Sequence, residues 1–466
     1  MGKKEKEVRP FGLRDKVGYL FGDFGNDFTF IFASAILMKF YTDVMGVSAG
    51  MVGLMMMLAR FVDAFTDVAM GQIADKSAPT AKGKFAPWIR RMMGPVALAS
   101  ILMYAVWFKD MSLGFKTVWM FFSYLLWGSI CYTGINIPYG SMASAITSDP
   151  KERQSLSTFR TIGGSLAGVM VGVIVPMVVY YKDAAGNTMI SGTKTTMMAA
   201  LFSVLAIVCY TLCYALTTER VKIESVREKF SAKSLIEVTF ANRSMLGIIL
   251  AALLCLLSQL TFSSMGNYIY PNYFGSSAAL SISGLLGIGV ILIFSPFISK
   301  LTGRFGRKEI ASVGAVIGFA ALMVARIIHT HDVVVFLVLY TISYCGQAVF
   351  NLVVWAMITD VIDDIEVKKG KRRDGVIYAV YSFARKLGQA ASAGLSGLLL
   401  TSVGYSTETA FDEPVVNGIY DITVLVPMLG FGVLALVLIF LYPLGKKQVE
   451  ENARILAEKK NTDEEG

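Results

Sequence analysis

About twelve apolar stretches constrain this chain more than any other feature, each near the ~20 residues a helix needs to cross a bilayer. They fall near 17–41, 49–73, 91–108, 117–146, 156–181 and 193–216, then 243–270, 277–299, 308–328, 333–360, 375–403 and 420–443. Hydrocarbon offers no partner to an open backbone, so such segments are satisfied as helices packed within the membrane. Little chain remains for a large soluble catalytic domain. Of the 466 residues, 55% are hydrophobic and 17% charged, against about 45–50% and about 25% in soluble chains. Disordered, collagenous and disulfide-rich classes are excluded by the same balance. The expected fold class is an all-α membrane protein with twelve transmembrane helices.

Lysine and arginine set the expected orientation. They crowd the N-terminus (residues 1–16), the second–third loop KSAPTAKGKFAPWIRR, the fourth–fifth DPKERQ and the central loop TTERVKIESVREKFSAKS. They recur in SKLTGRFGRKE, EVKKGKRRDG and the tail from Lys446. The alternate loops, YTDVMGVSAG, NYFGSSAA, HTHD and YSTETAFDEPVVNGIYD, are nearly free of them. The positive-inside rule places both termini in the cytoplasm, as an even helix number requires. Residues 1–16 are polar and basic, so no cleavable signal peptide is expected. The expected location is a cell (inner or plasma) membrane, multi-pass. The net charge of +9 reads as topology plus attraction to anionic membrane lipid, not as a nucleic-acid surface. His329 and His331 are the only histidines and no C-x-x-C pair occurs, which argues against metal-enzyme and thioredoxin chemistry. The five cysteines lie in apolar stretches and read as small buried hydrophobes.

The central loop divides the chain six plus six. The expected units are a six-helix bundle over 1–216, the loop over 217–242, a second bundle over 243–445 and a tail over 446–466. Gly71 to Lys76 reads G-Q-I-A-D-K and Gly303 to Lys308 reads G-R-F-G-R-K. Both resemble pieces of the loop motif of the major facilitator superfamily, at matching places in the two halves. That resemblance implies the superfamily fold, two six-helix pseudo-repeats with the substrate near the midplane.

Function is sought where charge enters the bilayer, because an ionisable group there costs at least ~2.5–3.5 kcal/mol. The second apolar stretch carries A-R-F-V-D-A-F-T-D-V-A-M-G. Asp63 and Asp67 are i, i+4 and share a face, with Thr66 on the same side. Two carboxylates so placed need a cation; hard oxygen ligands suit a small hard ion, a shared proton would also serve, and pairing with Arg60 is the structural alternative. The first stretch repeats the spacing with Asp23 and Asp27. Asp27 is expected to accept sugar hydroxyls, Asp23 to serve structure. The fourth carries Tyr132, Thr133 and Asn136 beside Pro138, an interruption tolerated where a helix lines a cavity. Arg160 in the fifth needs a carboxylate partner, for which Asp27 is a candidate. Tyr381, Arg385 and Lys386 lie in the eleventh. Asp360, Asp363, Asp364 and Glu366 stand beside KKGKRR and read as local salt bridging rather than as a magnesium motif.

Six pieces in order along nearly the whole chain are F-Y-T-D-V-M-G (40–46), R-x-x-D-A-x-x-D (60–67), G-K-F-A-P-W (83–88), N-I-P-Y-G-S (136–141), D-x-x-D-x-x-E (360–366) and S-F-A-R-K-L-G-Q-A (382–390). Together they resemble the glycoside–pentoside–hexuronide:cation symporters of the major facilitator superfamily. The resemblance implies a cation site at Asp63, Thr66, Asp67 and Thr133, metal-like if the ion is sodium. It implies substrate contacts at Asp27, Arg160 and Lys386, with Tyr381 near a polar sugar-side position. The residues themselves add Tyr132, Asn136 and Arg385 as substrate candidates. Asn136 departs from the melibiose branch, which has aspartate there. That loss of negative charge, with Arg385 close in sequence to the implied site, favours an anionic sugar such as a hexuronide. The implied activity is secondary active symport of a glycoside, pentoside or hexuronide with Na+ or H+ by alternating access. No enzyme activity, no cofactor and a monomer are expected. A cation-coupled lysolipid carrier and a membrane-embedded magnesium-dependent transferase are the alternatives.

Overall fold

The computed structural model of the protein describes residues 9–221, 242–370 and 374–465. The first basic residues, most of the central loop, and Lys371, Arg372 and Arg373 lie outside the described residues. The chain forms two compact units, Met1–Arg227 and Glu228–Gly466.

In the first unit α1 spans Leu13–Asp43, α2 Ala49–Lys76 and α3 Ala86–Met103. A single helical segment, Leu113–Ile146, is built from α4 (Leu113–Leu125), a π-helical stretch (Leu126–Tyr132) and α5 (Thr133–Ile146). It is followed by α6 (Pro150–Val179) and α7 (Gly192–Leu216). Between α6 and α7 stands a small antiparallel hairpin, β1 (Tyr180–Lys182) on β2 (Thr188–Ile190), turned at Gly186 with φ +86°. The all-α expectation is therefore broken at one loop.

In the second unit α8 spans Arg243–Tyr268, α9 Ser277–Phe305 and α10 Arg307–Ile328. There follow α11 (Val333–Lys369), α12 (Asp374–Ser402), α13 (Glu413–Leu436) and the tail helix α14 (Lys446–Glu465). The α11 helix runs nine residues past the apolar stretch that ends near 360, because Asp360 and Asp364 find partners within the fold.

Among the described residues, ten helical segments are long and apolar enough to cross a membrane. The chain is a multi-pass membrane protein. The α1 and α12 helices fall outside the ten because ionisable residues interrupt them, Asp23, Asp27, Lys39 and Asp43 in the first and Arg385 and Lys386 in the second. Each unit packs by one scheme. In the first, α1 packs on α6 and α7, and α3 on α7; in the second, α8 packs on α12 and α13, and α10 on α13. The same pairing order in both halves is what parallel repeats produce.

Small residues let these helices approach closely, the main route to tight packing when lipid is as apolar as leucine. A Cβ added at Gly163 of α6 would collide with the Leu20 carbonyl of α1, and one at Gly346 of α11 with the Gly314 carbonyl of α10. Outside this packing, large apolar side chains such as Phe65, Val118, Leu292 and Phe440 stay exposed, as expected where the solvent is hydrocarbon.

The first turn of α3 is fastened by a residue far along the chain. Glu219, just past α7, accepts the backbone N–H groups of Lys84 (2.7 Å), Phe85 (2.9 Å) and Ala86 (2.6 Å). Those are orphan donors at a helix start, where a carboxylate also opposes the dipole. Gly83, at φ +108°, makes the room, since a side chain there would meet the Glu219 carboxyl. The second unit ties its tail helix in a related way, with Glu309 Oε1 accepting the Lys446 N–H at 3.0 Å.

Two outcomes are expected. Gly163→Val should lower the yield of monodisperse protein in detergent and its melting temperature, because the collision is with backbone and cannot be relieved by a rotamer change; overpacking of this kind costs about 1–3 kcal/mol. Burial, the largest influence, holds the Glu219 carboxyl above its ordinary range, and the three N–H donors partly offset it. A raised carboxyl contributes stability that is complete below its unfolded value and lost as pH rises through its folded one. The melting temperature of the wild type relative to Glu219→Gln should therefore fall as pH rises from about 4 to about 7. A difference that stays flat over that range contradicts the assignment.

Candidate functional site

The sequence places two aspartate pairs in the membrane-spanning part of the first unit, and the structure gives each pair its own partners. On α2, Asp63 Oδ1 accepts the Ser129 hydroxyl at 2.6 Å, and Asp67 Oδ1 accepts the Thr133 hydroxyl at 2.9 Å. Arg60 Nη1 lies 3.4 Å from Asp63 Oδ2. The Arg60 guanidinium also sits 5.2 Å over the Phe30 ring, a cation–π contact that holds it to α1. The Thr66 hydroxyl bonds back to the Val62 and Asp63 carbonyls at 3.3 and 3.2 Å, the usual satisfaction of a threonine inside a helix.

The π-helical stretch supplies Ser129. There the Thr133 N–H reaches the Gly128 carbonyl, five residues back. Gly128 brings the backbone near Asp63, its added Cβ lying 3.9 Å from Asp63 Oδ1. Single π turns inside α-helices concentrate at functional sites.

The second pair faces α6. Arg160 Nε donates to Asp23 Oδ1 at 2.9 Å, so the carboxylate partner of Arg160 is Asp23 rather than Asp27. Asp23, expected to serve structure, thus holds the guanidinium. The difference of one turn on α1 decides which carboxylate the fixed guanidinium can reach. Arg160 also lies 5.3 Å over the Tyr139 ring. Asp27 faces the same strip of α6: a Cβ at Gly164 would stand 2.5 Å from Asp27 Oδ2 and 3.0 Å from Asp23 Oδ2. Gly164 thus keeps open the space both carboxylates border.

Asn136 sits on α5 in a polar relay. The buried Tyr210 hydroxyl donates to Asn26 Oδ1 at 2.9 Å, and Asn26 Nδ2 donates to Asn136 Oδ1 at 3.3 Å. A carboxamide at 136 can donate through its NH2 group, which a carboxylate could not. Tyr132 joins the two clusters, its ring stacked on Phe30 at 5.5 Å and tilted on Trp127 at 5.4 Å.

In the second unit Arg385 lies 5.6 Å over the Trp355 ring and 5.9 Å over the Tyr381 ring. The two rings meet edge to face at 5.1 Å. Lys386 follows on the next face of α12. The acidic run of α11 takes partners near and far: Asp364 accepts Lys368 at 2.8 Å and Ser244 at 2.7 Å, whereas Asp360 pairs with Arg307 of α10. Among the described residues no group of three or more His, Cys, Asp or Glu is placed to hold a metal ion.

Sequence reasoning missed Ser129, Asn26, Tyr210 and Trp355. One signal was available for Ser129: it precedes Thr133 by four, the spacing of Asp63 and Asp67. Asn26 and Tyr210 are 184 residues apart, and nothing local joins them. If Arg160 and Asp23 form a working pair, Asp23→Asn and Arg160→Gln should each destabilise the protein. A double-mutant cycle read from detergent melting should give a coupling of about 0.5–3 kcal/mol; strict additivity would show the two to be independent.

Residues 18–446 match a family model described as MFS/sugar transport protein. The chain is 31% identical to the uncharacterized symporter YjmB of Bacillus subtilis (strain 168), with 95% of both chains covered. It is 31% identical to a glucuronide carrier protein homolog of Escherichia coli (strain K12), with 94% of both covered. Its fold is like that of the crystal structure of a bacterial homolog of the human lysosomal transporter Spinster, at TM-score 0.67 and 11% identity over 92% of this chain and 98% of that one.

Proposed function

We propose, from the premise that the chain belongs to the MFS/sugar transport protein family, that it imports a glycoside, pentoside or hexuronide together with one monovalent cation by alternating access. The chain is a sugar carrier and not an enzyme, which sets the magnesium-dependent transferase aside. The observation that carries the coupling is the geometry on α2: Asp63 and Asp67 stand one turn apart, each accepting a hydroxyl of the neighbouring helical segment, with Arg60 on the second oxygen of Asp63. Two carboxylates and the Thr133 hydroxyl offer the cation hard oxygen donors. Thr66 donates its hydroxyl to its own backbone and keeps its lone pairs, so it stays a candidate fourth ligand on the same face.

The sugar reading rests on the other cluster. Asp23 and Asp27 are acceptors for hydroxyl groups and Arg160 is a donor in a fixed fork, the charge-assisted vocabulary of sugar recognition. Tyr132 offers a ring face beside them. Asn136 supports the anionic preference, because a carboxamide NH2 group donates to a carboxylate where an aspartate would repel it. Arg385 and Lys386 add two cations on α12 with the Tyr381 and Trp355 rings beside them. Both termini are assigned to the cytoplasm of a cell membrane by the basic loops. Neutralising the α2 carboxylates organises the sugar cluster through Phe30 and Tyr132, and linkage requires the sugar to tighten cation binding by the same factor.

The test is counterflow of labelled glucuronide, and of a neutral xyloside, in right-side-out vesicles with and without sodium at fixed pH, alongside Asp63→Asn. Cation-stimulated glucuronide uptake lost in the variant is the expected result, with the xyloside at least about tenfold weaker, a difference of about 1.4 kcal/mol. Strong xyloside uptake with none of the glucuronide overturns the anionic preference. No uptake of either sugar under any cation overturns the sugar reading and leaves the lysolipid carrier to be tried.

A further inference from the structure

Two hydroxyls and two carboxylates in the first unit form a ladder that the family resemblance does not supply. Asp63 meets Ser129 and Asp67 meets Thr133. Both partners lie 66 residues further along the chain. On each helix the two rungs are four residues apart, about one turn. Of the four side chains, Thr133, Asp63 and Asp67 are cation-site positions already; Ser129 is not. It is buried at 3% exposure, so its hydroxyl is costly to place without a partner. The π-helical turn puts it there. A π turn spends one residue more than an α turn between hydrogen-bonded groups, and this one ends at Thr133, on the other rung. Ile130, next to Ser129, points outward and is 59% exposed, so the turn rotates an apolar side chain out as it carries a polar one in.

Building on the symport reading above, we propose that Ser129 is a direct ligand of the coupling cation and that the ion taken is a metal cation of the sodium class, not a proton. The argument is one of ligand number. A proton settles on one carboxylate oxygen and gains nothing from a second hydroxyl in the set. A hard metal ion without its water shell needs several oxygens at once. A serine hydroxyl has one proton to give and keeps lone pairs for an ion. Ser129 and Thr133 thus serve the carboxylates as donors and the cation as ligands, a double role that an amine, with donors only, could not take. Arg60, on the far oxygen of Asp63, leaves the Ser129 side of that carboxylate as the one that faces the ladder.

The experiment measures sodium and lithium activation of sugar counterflow, and proton-gradient-driven uptake, in the wild type, Ser129→Ala, Ser129→Thr and Asp63→Asn. Ser129→Ala should raise the sodium concentration for half-maximal activation about five- to twentyfold and change the lithium-to-sodium ratio. The sugar concentration for half-saturation at saturating sodium should be unchanged. Ser129→Thr, which keeps the hydroxyl, should restore activation to within about twofold. A merely structural role for Ser129 would lower uptake without moving the lithium-to-sodium ratio, and that result overturns the proposal. So does uptake in the wild type that follows the proton gradient and ignores both metal ions. Should Asp63→Asn leave cation activation intact, the symport site itself is misplaced. Loss of activation in Asp63→Asn with an unmoved ratio in Ser129→Ala rejects only the role of Ser129.

Discussion

No water reaches the interior of a bilayer to share in a charge's solvation, and the polar architecture of this chain follows from that. Each ionisable residue carried into a span must find an opposite charge, a hydroxyl or an aromatic face within the protein. Arg160 takes Asp23 and the Tyr139 ring, Arg60 takes Asp63 and the Phe30 ring, and Arg385 takes two rings. These pairings fix the angular position of α1, α2 and α6 about their axes. The glycines then set how near the helices stand. Gly163 and Gly164 illustrate the division: the first lets α6 touch the α1 backbone, and the second leaves a gap opposite two carboxylates.

The two aspartate pairs of the first unit are joined through Phe30 and Tyr132: the Phe30 ring lies between the Arg60 guanidinium and the Tyr132 ring, so none of the three moves without displacing its neighbours. The second unit shows the same helix pairing, and its charged side chains on α12 meet aromatic rings instead.

Much of this was legible from residue order alone. Apolar length and loop charge located the spans and the repeat, because both are properties of single segments. The i, i+4 spacing of Asp63 and Asp67 placed the two carboxylates on one face of α2 for the same reason. What escaped was whatever depends on two segments meeting. Whether Arg160 reaches Asp23 or Asp27 turns on the rotation of α1 against α6. The reach of Asp360 to Arg307 depends on the start of α10 standing beside the later part of α11, which the nearer lysines of the sequence do not reveal. Ser129 escaped because a lone serine in an apolar stretch carries no charge to draw notice, and its partner Asp63 lies 66 residues away. Ten of the expected spans meet the length and hydropathy of a membrane helix, and the two that do not are helices holding proposed site residues. The residues that make a span useful also make it harder to recognise.

The π turn at Leu126–Tyr132 also bears on descent. It is one residue absorbed into a helix without a loop to house it, and a single-codon loss would return the segment to regular winding. Such a loss would leave the ends of the helix in place and turn a different side chain toward Asp63. Where homologous chains differ in length by one at this point, the gap marks an exchange of the group facing the position of Asp63. Aligning such chains column by column through the segment would pair residues that never occupy the same place.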